Sequence, residues 1–360
     1  MKICFIAPAD NYHTQKWCRF FLKRNYEVHV ISFQQGIIPQ AKVHLIGCNV
    51  ETNGSDISKL KYLLYACRIK QIVKQIEPEI ISVHYASSYG TVVALSGIRN
   101  YSLSVWGSDI YEFPKKSVFH RCLLRYSLRH ATQIMSTSYA MAAETRKYTS
   151  KNIEVTPFGV DMDLFSPDKR TRQAEDGEFV VGLIKSLTPT YGIDTLLKAV
   201  KIVTEKRSDI PLKVRIAGKG ECEEEYKKLA KILRIELIVC WLGFISQNQA
   251  ANEWANMDVC VIPSRSESFG VAAIEAQACG RAVIITDVSG LKEATSPNET
   301  SLVVPIEDEN SLANAIITLY DNPDLRIQLG KKGRIFVNKK YEIDDCFSRI
   351  EECMMNIIKK

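Results

Sequence analysis

The sequence predicts an α/β protein built from two doubly wound parallel-sheet domains, and three observations carry that prediction. Its 360 residues suffice for two separate cores, and 46% apolar with 24% charged content is ordinary for a globular protein. The first half alternates short apolar runs, rich in β-branched residues, with amphipathic helical stretches, as a doubly wound sheet requires. A polar stretch over 171–178, apolar only at Ala174, then separates that half from a second series of the same kind. The expected domains are therefore 1–170 and 171–340.

In the first half, strands are expected at 2–7, 28–32, 43–46, 80–84, 103–106, 134–137 and 153–156, with helices at 13–24, 58–75, 117–129 and 139–148. The turn after the first strand, Ala7-Pro8-Ala9-Asp10-Asn11-Tyr12-His13, contains no glycine. A G-x-G-x-x-G fingerprint is absent where a dinucleotide-binding unit needs it, which disfavours a nicotinamide dehydrogenase. His13 at the helix entry is either a hydrogen-bonding group for an acceptor or an ordinary surface histidine. His84, at a strand end, is either a site residue or a buried structural one. Ser104-Val105-Trp106-Gly107-Ser108-Asp109 forms a strand end and tight turn, where the Trp106 ring suits stacking on a sugar but cannot shuttle a proton. Between 115 and 130 the chain reads KKSVFHRCLLRYSLRH. Arg121, Arg125 and Arg129 fall at i, i+4 and i+8, one stripe along a helix, beside an apolar side of Val118, Phe119, Cys122, Leu123 and Tyr126. Such a helix either lies on an anionic bilayer or faces the core with a solvated back.

The second half restarts at 179–184 and continues through 214–217, which ends in Gly218-Lys219-Gly220, then 239–244 and 302–305. Its most informative stretch is 259–290, VCVIPSRSESFGVAAIEAQACGRAVIITDVSG. A buried strand at 259–262, a polar loop, a helix from Val271 capped by Ser266 or Ser268 and ended near Gly280, and a second strand at 282–285 form one strand–helix–strand unit. Ligands of such units sit beyond the carboxyl ends of the strands. There the amides of Ser268, Phe269 and Gly270 would face the ligand, and the helix dipole adds about half a positive charge. Gly270 has no side chain to hold a ligand off the backbone. Glu267 precedes the helix and Glu275 lies about two turns in, its side chain leaning back toward the N-terminus. Amides for a diphosphate, flanked by two carboxylates for ring hydroxyls, describe a site for a nucleotide-sugar.

This Glu, seven residues, Glu pattern, with Phe-Gly after the first and Gly near the helix end, resembles the donor-site signature of family 4 (group 1) retaining glycosyltransferases of the GT-B fold. The resemblance continues through Gly280 to Asp287 and the turn at Ser289-Gly290, and covers essentially the whole chain. It implies two Rossmann-like domains facing across a cleft, with a nucleotide diphosphate-sugar, a UDP-sugar favoured, held mainly by the second. It implies a hexosyl- or N-acetylhexosaminyl-transfer in which the leaving phosphate takes the acceptor's proton, Glu267 orients the donor sugar and Glu275 holds the ribose. The loop after 214–217, with Gly218, matches the family's second-domain loop, and Phe244 stands where relatives place the nucleobase. The stretch 341–360 resembles the helix that crosses back to the first domain.

The chain also departs from that pattern. The family's Gly-Gly turn after the first strand is missing, and a histidine near the reacting sugar is replaced by Trp106, close to Asp109. The segment Thr156-Pro157-Phe158-Gly159-Val160-Asp161 has Phe158 for the usual Asn. The phosphate-clamping Arg and Lys are replaced by Ser186 and Tyr191, which leaves Lys185 as the expected substitute, with Arg265 as a further candidate. No metal or other cofactor is expected, because amides and cations take the metal's part. Nucleotide-sugar epimerases and sugar phosphorylases share this architecture, and a non-catalytic nucleotide-sugar-binding protein is the remaining alternative.

Charge is uneven. Residues 1–170 carry 22 basic and 13 acidic side chains, a net of +9; residues 171–360 carry 25 and 28, a net of −3; together they give +6. A basic first half suits an anionic acceptor or surface. The expected partners are thus a nucleotide-sugar donor, a glycan or polyprenyl-linked acceptor in surface polysaccharide biosynthesis and an anionic membrane surface, with no nucleic acid. Eleven cysteines without a CxxC pair, and no apolar run near the ~20 residues of a membrane span, predict a cytoplasmic protein, peripheral at most. The first eight residues are too short an apolar segment for a signal peptide.

Overall fold

The computed structural model describes residues 1–47, 64–172 and 177–358. It divides into two compact units, Met1–Phe158 with Asp344–Lys360, and Gly159–Ile343. The boundary expected at 170/171 therefore falls earlier. Residues 159–170 pack with the second unit: Phe165 is buried, and the Arg334 guanidinium donates to its carbonyl at 3.0 Å. Of the expected linker, 173–176 lie outside the described residues.

The first unit holds β1 (Lys2–Ile6), β2 (Glu27–Ser32), β3 (Lys42–Leu45), β4 (Ile80–His84), β5 (Ser102–Val105), β6 (Gln133–Ser136) and β7 (Ile153–Val155). Their order is β3-β2-β1-β4-β5-β6-β7, every neighbouring pair parallel. Strands buried on both faces need apolar residues at consecutive positions, which Ile3-Cys4-Phe5-Ile6 supplies. Helix starts follow their caps. Asn11 accepts the His13 amide at 2.8 Å, Ser117 the His120 amide at 3.3 Å and Ser138 the Met141 amide at 2.9 Å. The helix expected over 58–75 is described from Ala66 to Ile76, and 58–63 lie outside the described residues. Two further helices, Tyr89–Ser96 and the short Ser108–Tyr111, add to those expected.

The second unit holds β8 (Phe179–Ile184), β9 (Leu212–Ala217), β10 (Val239–Gly243), β11 (Val259–Ile262), β12 (Ala282–Thr286) and β13 (Ser301–Val304), ordered β10-β9-β8-β11-β12-β13 and again all parallel. The chain builds outward from β8 to β10, then returns to lay β11 on the other side of β8. This reversal of direction between β8 and β11 opens the crevice in which open α/β sheets bind ligands, outside the strands' carboxyl ends. Each unit has its own core. Ile6, Val83, Leu103 and Ile134 anchor the first, and Leu183, Leu197, Ile216, Val261 and Ile284 the second. Each such side chain contributes about 1.5–3 kcal/mol when fully buried.

Candidate active site

The residues that leave β8 and β11 meet at the reversal point. Lys185 follows β8 directly, and Glu267 sits in the loop after β11. Their side chains form an ion pair, Nζ to Oε2 at 2.6 Å, with 14% and 8% of each exposed. The two residues expected to do the chemistry, 82 positions apart, are thus brought together by strand order. The Tyr191 ring lies 4.5 Å from the same Nζ. Burial disfavours the ammonium, but the charge of Glu267, then Tyr191 and more distantly Glu275, outweighs it, and the pKa of Lys185 is raised.

Backbone sterics hold this pair in place. Gly218, at the end of β9, has φ +139°, and a Cβ there would lie 1.9 Å from the Lys185 carbonyl oxygen. Only glycine lets the two loops approach so closely. The helix after β11 runs Val271–Ala278 and its N-cap is Gly270, with φ +97° and no side-chain cap. This corrects the expected Ser266 or Ser268 cap: a left-handed residue turns the chain directly into the helix, so neither serine occupies the capping position. Phe269 is buried and packs on Tyr341 at 5.2 Å, making it an anchor for the turn. Glu275 is only 9% exposed and accepts a bond from Trp254 Nε1 at 3.4 Å. It is not a solvated surface charge. Trp254 lies 21 positions away, and no linear signal links it to Glu275.

Arg265 stands apart from this centre. Its guanidinium makes a two-pronged bond to Asp194, at 3.0 and 2.7 Å, and a further one to Glu307 at 2.5 Å. Its charge is committed to bracing the loop, which leaves Lys185 as the cation beside Glu267. Asp194, in the first turn of the helix Ile193–Lys206, belongs to no motif that would single it out in the sequence. Phe244 follows β10 with 76% of its surface exposed. Together a cation and a helix N-terminus suit an anionic group, while two carboxylates suit hydroxyls. Among the described residues, no group of three His, Cys, Asp or Glu is placed to hold a metal ion.

In the first unit the four expected acceptor-side residues cluster but differ in role. Asp109 is buried and accepts the amides of Ala86 at 2.9 Å, Trp106 at 3.1 Å and Gly107 at 2.9 Å. Its burial raises its pKa, with those amides pulling the other way. The carboxylate is occupied in shaping the turn, which corrects its placement among acceptor-facing groups. Trp106 is 7% exposed, with its ring 4.4 Å from that of His84. His84 is fully buried among Phe5, Trp17 and Trp106, and of its two readings the buried one holds. Burial, with His13 second, lowers its pKa to about 3. His13 is half-buried and stacks on Phe158 at 4.1 Å. The replacement of the usual Asn by Phe158 thus gives His13 a planar partner.

The helix Val118–His130 buries Leu124, Ser127 and Leu128 and turns Arg121, Arg125 and Arg129 outward. Its other apolar side faces outward as well: Val118 is 70%, Phe119 55% and Tyr126 36% exposed. Among the described residues, no helix is long and apolar enough to cross a membrane.

Comparison with known proteins agrees with this geometry. The family model described as Glycosyl transferases group 1 matches residues 166–336, and the one described as Glycosyl transferase 4-like matches residues 2–138. A D-inositol 3-phosphate glycosyltransferase of Pseudarthrobacter chlorophenolicus is 32% identical over 215 residues, 57% of this chain and 51% of that protein. The chain thus spans about half the length of such curated relatives. An uncharacterised glycosyltransferase of Methanocaldococcus jannaschii is 28% identical over 300 residues, 80% of this chain and 78% of its own. Among solved structures, sucrose-phosphate synthase of Thermosynechococcus elongatus superposes with a TM-score of 0.85 at 20% identity, covering 100% of this chain and 99% of that one. Anabaena HepE in complex with UDP-glucose gives a TM-score of 0.80 at 19% identity, over 99% and 100% of the two chains. With both halves matched and the GT-B fold in place, the chain belongs to the group 1, family 4 glycosyltransferases.

Proposed function

We propose that the chain transfers a hexosyl or N-acetylhexosaminyl group, with retention, from a nucleotide diphosphate-sugar to a glycan or polyprenyl-linked acceptor in surface polysaccharide biosynthesis. A UDP-sugar is the favoured donor. The observation that carries this reading is the 2.6 Å pair of Lys185 and Glu267 at the reversal point of the second sheet, with Glu275 close behind. As the bond from sugar to diphosphate lengthens, negative charge grows on the leaving oxygen. A preorganised ammonium and the start of the helix Val271–Ala278 stabilise that charge more than they stabilise the bound donor. Glu267 orients the sugar's hydroxyls and keeps Lys185 charged, and Glu275 accepts from the ribose. The leaving phosphate takes the acceptor's proton, so no separate base is assigned. The outward arginines and exposed aromatics of Val118–His130 support docking on an anionic membrane surface, where a lipid-linked acceptor resides.

The direct test is transfer. Labelled UDP-glucose, the donor named in the HepE complex, heads a panel of UDP-, GDP- and ADP-sugars offered with polyprenyl-linked and oligosaccharide acceptors. The expected product is a glycoside with the donor's anomeric configuration, released with nucleoside diphosphate. An epimerised donor or a sugar phosphate in place of a glycoside puts the chain among the nucleotide-sugar epimerases or sugar phosphorylases. Donor binding without nucleotide release from any mixture makes it a binding protein.

A further inference from the structure

The strongest unassigned feature lies at the opposite end of the second sheet's strands, away from the donor site. A cavity of about 990 Å³ opens at the amino ends of β11 and β12, bordered by Asp258 and Arg281. All its lining residues belong to the second unit. Six are cations, Arg170, Arg281, Arg326, Lys331, Arg334 and Lys339, against one carboxylate, Asp258. That carboxylate is already shared between Arg170, at 3.2 Å, and Arg172. Among the described residues, no carboxylate lies within ion-pair distance of Arg281, Arg326, Lys331 or Lys339.

Cations on a protein surface are commonplace, but these share one cavity and four of them, Arg170, Arg281, Arg326 and Arg334, are partly buried. The pKa values of Arg281 and Arg326 are both lowered, by burial first. Repulsion from Arg170 adds to it at Arg281; at Arg326 the charge of Asp258 pulls the other way, against Arg170 and Arg172, and burial prevails. Guanidiniums held in mutual repulsion favour any anion that enters. The helix Pro323–Tyr341 gives the wall its pattern: Ile327, Lys331, Ile335 and Lys339 recur every fourth residue and so share a face. Ile327 and Ile335 are 51% and 69% exposed, which places apolar surface between the charges.

We infer that this cavity is a second ligand site, separate from the donor site, that takes a phosphate-bearing amphiphile through Arg281, Arg326, Lys331 and Lys339. Arginine and lysine together bind phosphate oxygens by charge-assisted hydrogen bonds, and the two isoleucines fit the apolar part of the same ligand. A soluble phosphorylated metabolite and an anionic lipid headgroup share this chemistry. The inference does not depend on which donor the other site takes.

The test uses the whole chain and two probes, inorganic pyrophosphate in calorimetry and phosphatidylglycerol vesicles in co-sedimentation, the vesicle arm with Arg121, Arg125 and Arg129 changed to glutamine so that the helix Val118–His130 does not contribute. The expected result is binding of at least one probe that weakens as salt rises. Lys331→Gln with Lys339→Gln should lower that affinity tenfold or more, and Lys331→Glu with Lys339→Glu should abolish it. Both lysines are exposed, so these variants keep the fold, which unchanged UDP affinity verifies. Lys185→Ala should leave the lysine-dependent binding in place. Pyrophosphate binding alone identifies a soluble source, and vesicle binding alone a headgroup. Binding indifferent to the two lysines, or lost in Lys185→Ala, or absent for both probes, overturns the inference.

Discussion

At Lys185 burial opposes the ammonium and the charges of Glu267, Tyr191 and Glu275 favour it, and the charges prevail. If that ammonium acts on the leaving diphosphate, Lys185→Ala should lower kcat by about 10²–10³ while donor affinity changes far less. Steady-state kinetics with a direct donor-binding measurement separate the two, and turnover within about twofold of wild type removes Lys185 from the mechanism. His84 shows the contrary balance. It is buried, its ring nitrogens have no hydrogen-bond partner among the described residues, and its pKa is lowered to about 3 from 6.5. Between those values the unfolded chain binds a proton that the native chain does not. Stability is therefore whole above about pH 6.5 and falls as pH drops through that window. Urea unfolding at pH 7, 5.5 and 4.5 should show a loss of roughly 2–4 kcal/mol, since every tenfold difference in proton affinity between the two states is worth about 1.4 kcal/mol. His84→Leu should flatten that part of the profile; an unaltered slope assigns the loss to other groups.

Among the elements, the helix Val118–His130 makes the most exposed claim, because it displays arginines and apolar side chains outward together. Each arginine near an anionic surface contributes about 1 kcal/mol, so three shift partitioning by about two orders of magnitude. Co-sedimentation should rise with anionic lipid, fall with salt, and weaken by about two orders of magnitude when Arg121, Arg125 and Arg129 become glutamine. Equal binding to neutral vesicles, or none at all, favours a soluble acceptor. This element also shows where sequence alone runs short. Its arginine stripe is legible from spacing, but whether Phe119 and Tyr126 face core or solvent depends on the neighbours it packs against. Central strands such as β1, β8, β11 and β12 are legible because buried parallel strands are continuous apolar runs. The helix Tyr89–Ser96 is not, because seven of its eight residues are buried and no polar face marks a helical period. Glu267, Glu275 and Lys185 are readable as residues. Their meeting is not, since it depends on β11 returning beside β8. The single-residue ties that commit Arg265 to Asp194 and Asp109 to three amides leave no trace in linear order.

On the scale of the whole molecule, the two cores share no member, so the two units need not respond alike to a ligand. Every residue assigned to the donor lies in Gly159–Ile343. A nucleotide that binds only the native form of that unit stabilises it by about 2.7 kcal/mol at 100 times its Kd. For a unit of this size, where each kcal/mol moves the midpoint by about 2–4 °C, that corresponds to a rise of roughly 5–11 °C in its transition. Calorimetry with and without UDP should therefore move one transition and leave the other in place. The transitions are assigned with Leu103→Ala, which hollows the first core alone and should lower that unit's stability by about 2–5 kcal/mol. In that variant the UDP-sensitive transition should stay where it is in the wild type while the insensitive one falls. A UDP shift confined to the transition that Leu103→Ala lowers would put the donor on the first unit and undo the assignment of Lys185, Glu267 and Glu275.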